Sequence, residues 1–161
     1  MQVIPKLDFG GAEAGCYDLA HFLSEKNCKS YIVTSGGKLT KFIKKDKVKL
    51  FKLPVHSKNP IIILWNTFVI SFIIIFYNIT IVHARSRAPA WSTYYACSML
   101  RGIKLISTVH GAYNNQNIFK KIYNSIMLKS VKIIAISNYI KNYLLKNYKF
   151  SKKNGKNCCY S

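Results

Sequence analysis

The side chains best suited to chemistry fall in three short stretches. The first, Gly10-Gly11-Ala12-Glu13, stands between an apolar stub and a helical pattern. Glycines there let the backbone approach a ligand closely, and a helix N-terminus offers free N–H groups and positive dipole to an anion. The loop reads either as a phosphate contact or as a plain tight turn. It is not the G-x-G-x-x-G fingerprint, because only the glycine pair matches and the acid on the second strand is missing. The second stretch holds Arg85 and Arg87 at i and i+2, with the Ser86 hydroxyl between them. Such a pair can clamp a phosphate or carboxylate through forked donors, or form a solvated basic loop. The other bases are almost all lysine, which favours a specific use for this pair. The third is His110-Gly111. A neutral imidazole there can donate to a sugar hydroxyl or polarise a substrate oxygen, unless the backbone already satisfies it. His21 and His56 read as structural histidines.

Other chemistry is excluded by what surrounds these stretches. The 161 residues carry 25 Lys and Arg against 5 Asp and Glu, a formal charge of +20. All five acids (Asp8, Glu13, Asp18, Glu25, Asp46) lie in residues 1–46, and residues 47–161 hold eighteen bases and no acid. Paired-carboxylate catalysis has almost nothing to work with, and no acid follows Asp46 to orient a Ser/His or Cys/His set. The five cysteines form no C-x-x-C, so neither a zinc site nor a disulfide framework is expected; they read as reduced, buried thiols of a cytosolic protein. Met1–Leu7 is too short for the apolar core of a secretory signal.

Each of the three stretches follows an apolar strand pattern. Strands are expected at Val3–Ile4, Tyr31–Thr34, Val48–Leu53, Ile79–Val82, Leu105–Val109 and Val131–Ile136. Helices are expected from Gly10–Gly11 (with Cys16, Leu19, Ala20 and Leu23 at helical spacing), briefly over Leu39–Ile43, from Pro60, over Trp91–Leu100 and Ile118–Leu128, and over Ile140–Leu145 after a Ser137 cap. Short strands alternating with helices imply an α/β, Rossmann-like parallel sheet with helices on both faces. The loops at the strands' C-terminal ends are then the ligand side.

The run Ile61–Val82 contains no charge and is long enough to span a bilayer. Its polar members are not scattered, however. At about 100° per residue, Asn66, Thr67, Ser71, Tyr77 and Asn78 fall within one arc of roughly 140°. A buried helix that turns this polar arc outward, followed by the next strand, explains the pattern better than a membrane span.

Together these stretches carry a resemblance. Gln2-Val3-Ile4-Pro5 running into Gly10-Gly11-Ala12-Glu13, Val82–Ser92 (VHARSRAPAWS), Ser107–Tyr113 (STVHGAY) and Ile133–Ser137 (IIAIS) resemble, in order and spacing, the N-terminal domain of family 4 glycosyltransferases. The resemblance covers about residues 1–148. It implies one half of a GT-B fold, in which two Rossmann-like domains face each other across a cleft. It also implies a retaining transfer of a hexosyl group from a nucleotide sugar to a glycan or lipid-linked acceptor, in cell-envelope polysaccharide or lipopolysaccharide synthesis. By position, Gly10 and Gly11 would approach the donor phosphates, His110 would lie beside the transferred sugar as the catalytic residue, and Arg85, Ser86 and Arg87 would line the acceptor side. No cofactor or metal is implied; the nucleotide sugar is the donor substrate. Two departures stand out. Thr80 replaces the acid commonly expected before Ile-Val-His, and the C-terminal Rossmann-like domain with its carboxylate motif is missing.

Residues 149–161 lose the apolar periodicity and end in adjacent cysteines, so a disordered or out-of-frame tail is expected there. The chain alone is then expected to be inactive. The lysine excess suggests peripheral attachment to the anionic inner face of a membrane, held by residues such as Lys120, Lys121, Lys129 and Lys132 and released by salt. A nucleic-acid-binding module is the alternative raised by charge and eleven tyrosines, yet no DNA- or RNA-reading motif accompanies them, so no nucleic-acid partner is expected. A small integral membrane protein using residues 61–82 is the other alternative.

Overall fold

The computed structural model describes residues 1–113, 117–148 and, as backbone, 158–160. Seven parallel strands form one sheet in the order β3-β2-β1-β4-β5-β6-β7. They are β1 (Gln2–Ile4), β2 (Ser30–Thr34), β3 (Val48–Lys52), β4 (Ile81–Ala84), β5 (Lys104–Val109), β6 (Lys132–Ala135) and β7 (Cys158–Tyr160). The helices are α1 (Gly11–Glu25), α2 (Pro60–Phe76), α3 (Arg87–Met99), α4 (Ile118–Ser125) and α5 (Asn138–Asn147), with short 3-10 turns at Lys38–Phe42 and Ile126–Lys129. The α/β, Rossmann-like expectation holds.

Side-chain alternation along the strands divides the core in two. Ile4, Ile32 and Val48 face α1, whose Cys16 and Ala20 are buried against them. Val3, Val33, Val82, Leu105 and Ile133 face the other way, onto α2, the Ile126–Met127 turn and α5. The chain leaves β1 toward β2 and β3, then returns across the sheet through α2 to place β4 on the other side of β1. That reversal makes the C-terminal edge between β1 and β4 a topological switch point.

Two helix ends show how the sequence sets the boundaries. At the end of α1, Asn27 takes a positive φ of 59°, and Cys28 N–H reaches Leu23 O at 2.9 Å. At the end of α2, Asn78 takes φ 51°, and Ile79 N–H reaches Ile74 O at 2.9 Å. Both are Schellman closures with asparagine in the left-handed position. The second also moves the following strand. Ile79 is tied to the helix end, so β4 begins at Ile81 and runs through His83 and Ala84, which pair with Gln2 and Val3.

Three expectations change. The polar arc of α2 faces inward: Asn66, Thr67 and Ser71 are buried, while Phe68, Phe72 and Phe76 are exposed. Cys28 is exposed rather than buried, because the Asn27 turn carries it off the helix. The expected structureless tail lies mostly outside the described residues, but Cys158–Tyr160 within it forms β7, pairing in parallel with the open edge Ile133–Ala135. The helix-plus-strand reading of residues 61–82 stands. Among the described residues no helix is long and apolar enough to cross a membrane.

Candidate functional site at the sheet's C-terminal edge

Four loops meet at this edge, after β1, β4, β5 and β6, which are consecutive neighbours in the sheet. The loop after β1 is held by a second glycine pair. Leu7 N–H bonds Gly36 O at 2.7 Å, Leu39 N–H bonds Leu7 O at 2.9 Å, and Lys38 N–H bonds the Asp8 carboxylate at 2.9 Å. Gly37 sits at φ 137° with the Leu7 backbone against the place where a Cβ would stand, so only glycine fits.

Gly10 is the N-cap of α1 and supplies no side-chain cap. Glu13, at the third helical position, folds its carboxylate back over Gly10, filling the space a Cβ would take. The carboxylate places its negative charge at the positive end of the helix. The anion site read from the glycine loop is thus covered by the chain's own carboxylate. Gly11 beside it is open on its Cβ side.

Arg85 and Arg87 do not form a clamp. Arg85 is buried in the notch between β1 and α1, where its Nη1 donates to Gln2 Oε1 at 2.7 Å and to Gly15 O at 3.3 Å. Gln2 Nε2 in turn donates to Cys16 O at 2.8 Å, so one polar bridge ties β4, β1 and α1 together. A Cβ on Gly15 would stand 3.2 Å from the Arg85 guanidinium, which explains a glycine inside α1. Arg85 Nε is buried without a partner among the described residues. Burial lowers the guanidinium pKa, opposed by Cys16 and Glu13. Cys16 itself is pushed up to about 12, chiefly by burial, and stays a thiol.

Arg87 turns the other way. Its Nη1 donates to Asn124 Oδ1 at 2.8 Å, and its guanidinium lies 3.9 Å from the centre of the Tyr113 ring. The i, i+2 pair splits because Arg85 still lies in register beside β1 (its N–H bonds Val3 O at 3.0 Å), whereas Arg87 already opens α3. Ser86 between them is the N-cap of α3 but makes no side-chain cap bond. Its carbonyl accepts the Ala90 N–H at 3.1 Å.

His110 follows β5 directly and is half-buried, with its Nε2 enclosed and, among the described residues, unpartnered. Burial lowers its pKa, the Arg85 charge lowers it further, and Glu13 opposes both. The imidazole is therefore neutral near pH 7 and able to donate or accept one hydrogen bond. Tyr113 braces its loop: the Tyr113 hydroxyl interacts with the His110 backbone, and the Tyr113 carbonyl accepts from the Tyr143 hydroxyl on α5. One strand away, His83 Nε2 pairs with Thr108 Oγ1 at 2.7 Å, and burial pushes His83 down to about 3.

The structure thus brings His110, Arg85 and Glu13 into mutual electrostatic reach at the switch point, beside Gly10. Arg87 belongs to a neighbouring cluster with Tyr113 and Asn124. Sequence reasoning missed Gln2, Gly15, Tyr113 and Asn124. Gln2 in an apolar strand and Gly15 within a helix were available signals, whereas nothing in the sequence pairs residues 87 and 124.

The comparisons with known proteins agree with this architecture. No curated protein matches the sequence. The crystal structure of a glycosyltransferase from Rickettsia africae ESF-5 is 40% identical, with a TM-score of 0.80, and the match covers 99% of this chain and 42% of that one. The lipopolysaccharide outer core galactosyltransferase WaaB in its apo form shares the fold at TM-score 0.64 and 13% identity, over 100% of this chain and 44% of that one. The chain thus spans less than half the length of both. The profile of Glycosyltransferase Family 4 matches residues 9–154. With nine-tenths of its length inside that match, the chain belongs to Glycosyltransferase Family 4.

Proposed function

We propose that this chain forms the acceptor-side half of a nucleotide-sugar glycosyltransferase. The reaction is transfer of a hexosyl group, with retention, onto a glycan or lipid-linked acceptor of cell-envelope polysaccharide or lipopolysaccharide, at the cytoplasmic face of the membrane. The observation that carries the reading is the enclosed, unpartnered Nε2 of a neutral His110 at the switch point, in the electrostatic reach of Arg85. A buried polar atom without a partner is costly and is relieved by a ligand that supplies one. A hydroxyl of the transferred sugar fits that need.

In this reading Arg85 positions rather than binds. Its bridge to Gln2 and Gly15 holds the loop after β4 against α1. Arg87, stacked on Tyr113, faces the acceptor, and Ser86 offers the hydroxyl that its cap position leaves unused. A donor phosphate reaching Gly10 and Gly11 has to displace the Glu13 carboxylate first. No resident metal or cofactor enters the reading. The remaining donor contacts come from a second Rossmann-like domain, and without it the donor is not held in attack geometry.

The test joins residues 1–148 to the C-terminal domain of the Rickettsia africae relative and assays sugar release and transfer from a panel of nucleotide sugars. Donor turnover by the fusion, lost at least about a hundredfold in His110→Ala with unchanged thermal stability, is the expected outcome. The 161-residue chain alone is expected to transfer nothing. A folded fusion inert toward every donor, or a His110→Ala fusion of undiminished turnover, would overturn the reading.

A further inference from the structure

Helix α2 is built inside out for a helix in water. Its inner face carries Asn66, 1% exposed, and Thr67, 2% exposed, together with buried Ser71. Their polar groups are used internally: Asn66 Nδ2 donates to Pro54 O at 3.1 Å, Thr67 Oγ1 to Ile63 O at 2.8 Å, and Ser71 Oγ to Thr67 O at 2.9 Å. Its outer face carries Leu64, Trp65, Phe68, Phe72, Ile75 and Phe76, all exposed, the two last phenylalanines at 65% each. The spacing of three and four residues makes this one continuous stripe along the helix. Soluble monomers rarely expose a contiguous apolar surface of that kind, and when they do it marks an interaction site.

Cations frame the stripe. Exposed Lys58 stands just before the N-cap Asn59. At the other end Lys49 Nζ lies 3.2 Å from the Tyr77 hydroxyl, and Arg101 lines a surface hollow with Ile75 on the opposite flank. Next to the helix start, α4 repeats the pattern: Ile118, Phe119 and Ile122 are exposed among Lys120 and Lys121, and the Tyr123 ring lies 5.9 Å from Lys58 Nζ. No acidic residue occurs anywhere in residues 47–161.

We propose that α2 is the surface by which this protein docks on an anionic lipid bilayer. The helix lies in the plane of the interface, its aromatic stripe in the acyl boundary, with Lys49, Lys58 and Arg101 at the headgroups. Geometry excludes a span, since 17 residues reach only about 26 Å and the inner face is already packed on α3. Charge selects among the remaining occupants. A second copy would bring +20 against +20, whereas an anionic leaflet complements the cations at both ends. The inference deepens the membrane side of the function proposed above and is independent of the sugar transfer. It also replaces attachment by lysines alone with apolar insertion, which salt weakens but does not abolish.

The test is flotation of the full chain with phosphatidylcholine vesicles, with and without phosphatidylglycerol, at low and high salt. Binding to the phosphatidylglycerol vesicles is expected, with a bound fraction that survives high salt. Trp65 emission is expected to shift to shorter wavelength and to be quenched by brominated acyl chains, the Trp65→Phe variant showing neither change. The double variant Phe68→Glu, Phe72→Glu is expected to lower high-salt partitioning about tenfold or more. Complete release by salt, absence of Trp65 quenching, or a chain that dimerises through the stripe and ignores vesicles would each overturn the proposal. The quenching readout uses the unaltered stripe, so it decides the matter even if the double variant misfolds. No outcome depends on a sugar donor, so failure here and failure of the transferase reading are separable.

Discussion

Helix α1 buries Cys16 and Ala20 against the sheet and turns Asp18 and Glu25 outward; helix α2, on the opposite face, buries Asn66, Thr67 and Ser71 and turns phenylalanines outward. Both are amphipathic at helical spacing, and both are closed by the same asparagine turn. They differ in what lies beyond the outer face. The α1 pattern is that of a helix between an apolar core and water. The α2 pattern needs an apolar medium outside and tolerates small polar groups inside, because each of those hydroxyls bonds a carbonyl of its own helix. Amphipathicity therefore identifies two faces without saying which is inward; the medium assigns them.

The contrast can be broken most sharply under α1. Ala20→Asp places an uncompensated carboxylate at a fully buried position and is expected to cost about 4 kcal/mol or more, read as loss of a cooperative urea transition. A charge of the same sign on the outer face of α2, in Phe72→Glu, is expected to leave stability in water within about 0.5 kcal/mol while raising solubility. Comparable effects from the two substitutions would mean that α2's outer face is covered by protein.

Between these extremes lies a titration beneath the α1 side of the sheet. His83 has a folded pKa of about 3, below the ordinary 6.5, so the unfolded chain takes up the proton first as pH falls. Its contribution is complete above pH 6.5 and is lost progressively from there down to about pH 3, on the order of 5 kcal/mol in full. Urea midpoints across that range should fall with acid in the natural chain and fall less steeply in His83→Gln. Equal slopes in the two would show that His83 is protonated in the folded state. The smallest expected effect is Ser71→Ala in α2, whose hydroxyl donates to Thr67 O; a change of about 0.5 kcal/mol or less in the same assay would confirm that the inner polar face is tolerated rather than needed.

Much of the site's location was legible in the residues. Arg85 and His110 directly follow strands and Gly10 ends the loop after β1, and parallel strands bring their C-terminal ends to one edge whatever the side chains do next. Their roles were not legible in the same way. Arg85 and Arg87 are two residues apart in the chain, yet one is bonded to Gln2 and the other to Asn124. The glycine loop looked free for an anion until Glu13 folded over it. These are rotamer choices made by neighbours 37 to 83 residues away or by a single helical turn, and no periodicity records them.

The sequence by itself determined the alternation of strands and helices, the parallel sheet and the charge asymmetry after Asp46, because these depend on local spacing and counting. Tertiary structure alone decided which face of α2 is buried and which arginine is a strut. The physical reason is the same for both. A hydrophobic stripe and a charged side chain each have more than one environment that satisfies them, and only the surrounding fold, with the solvent beyond it, selects one.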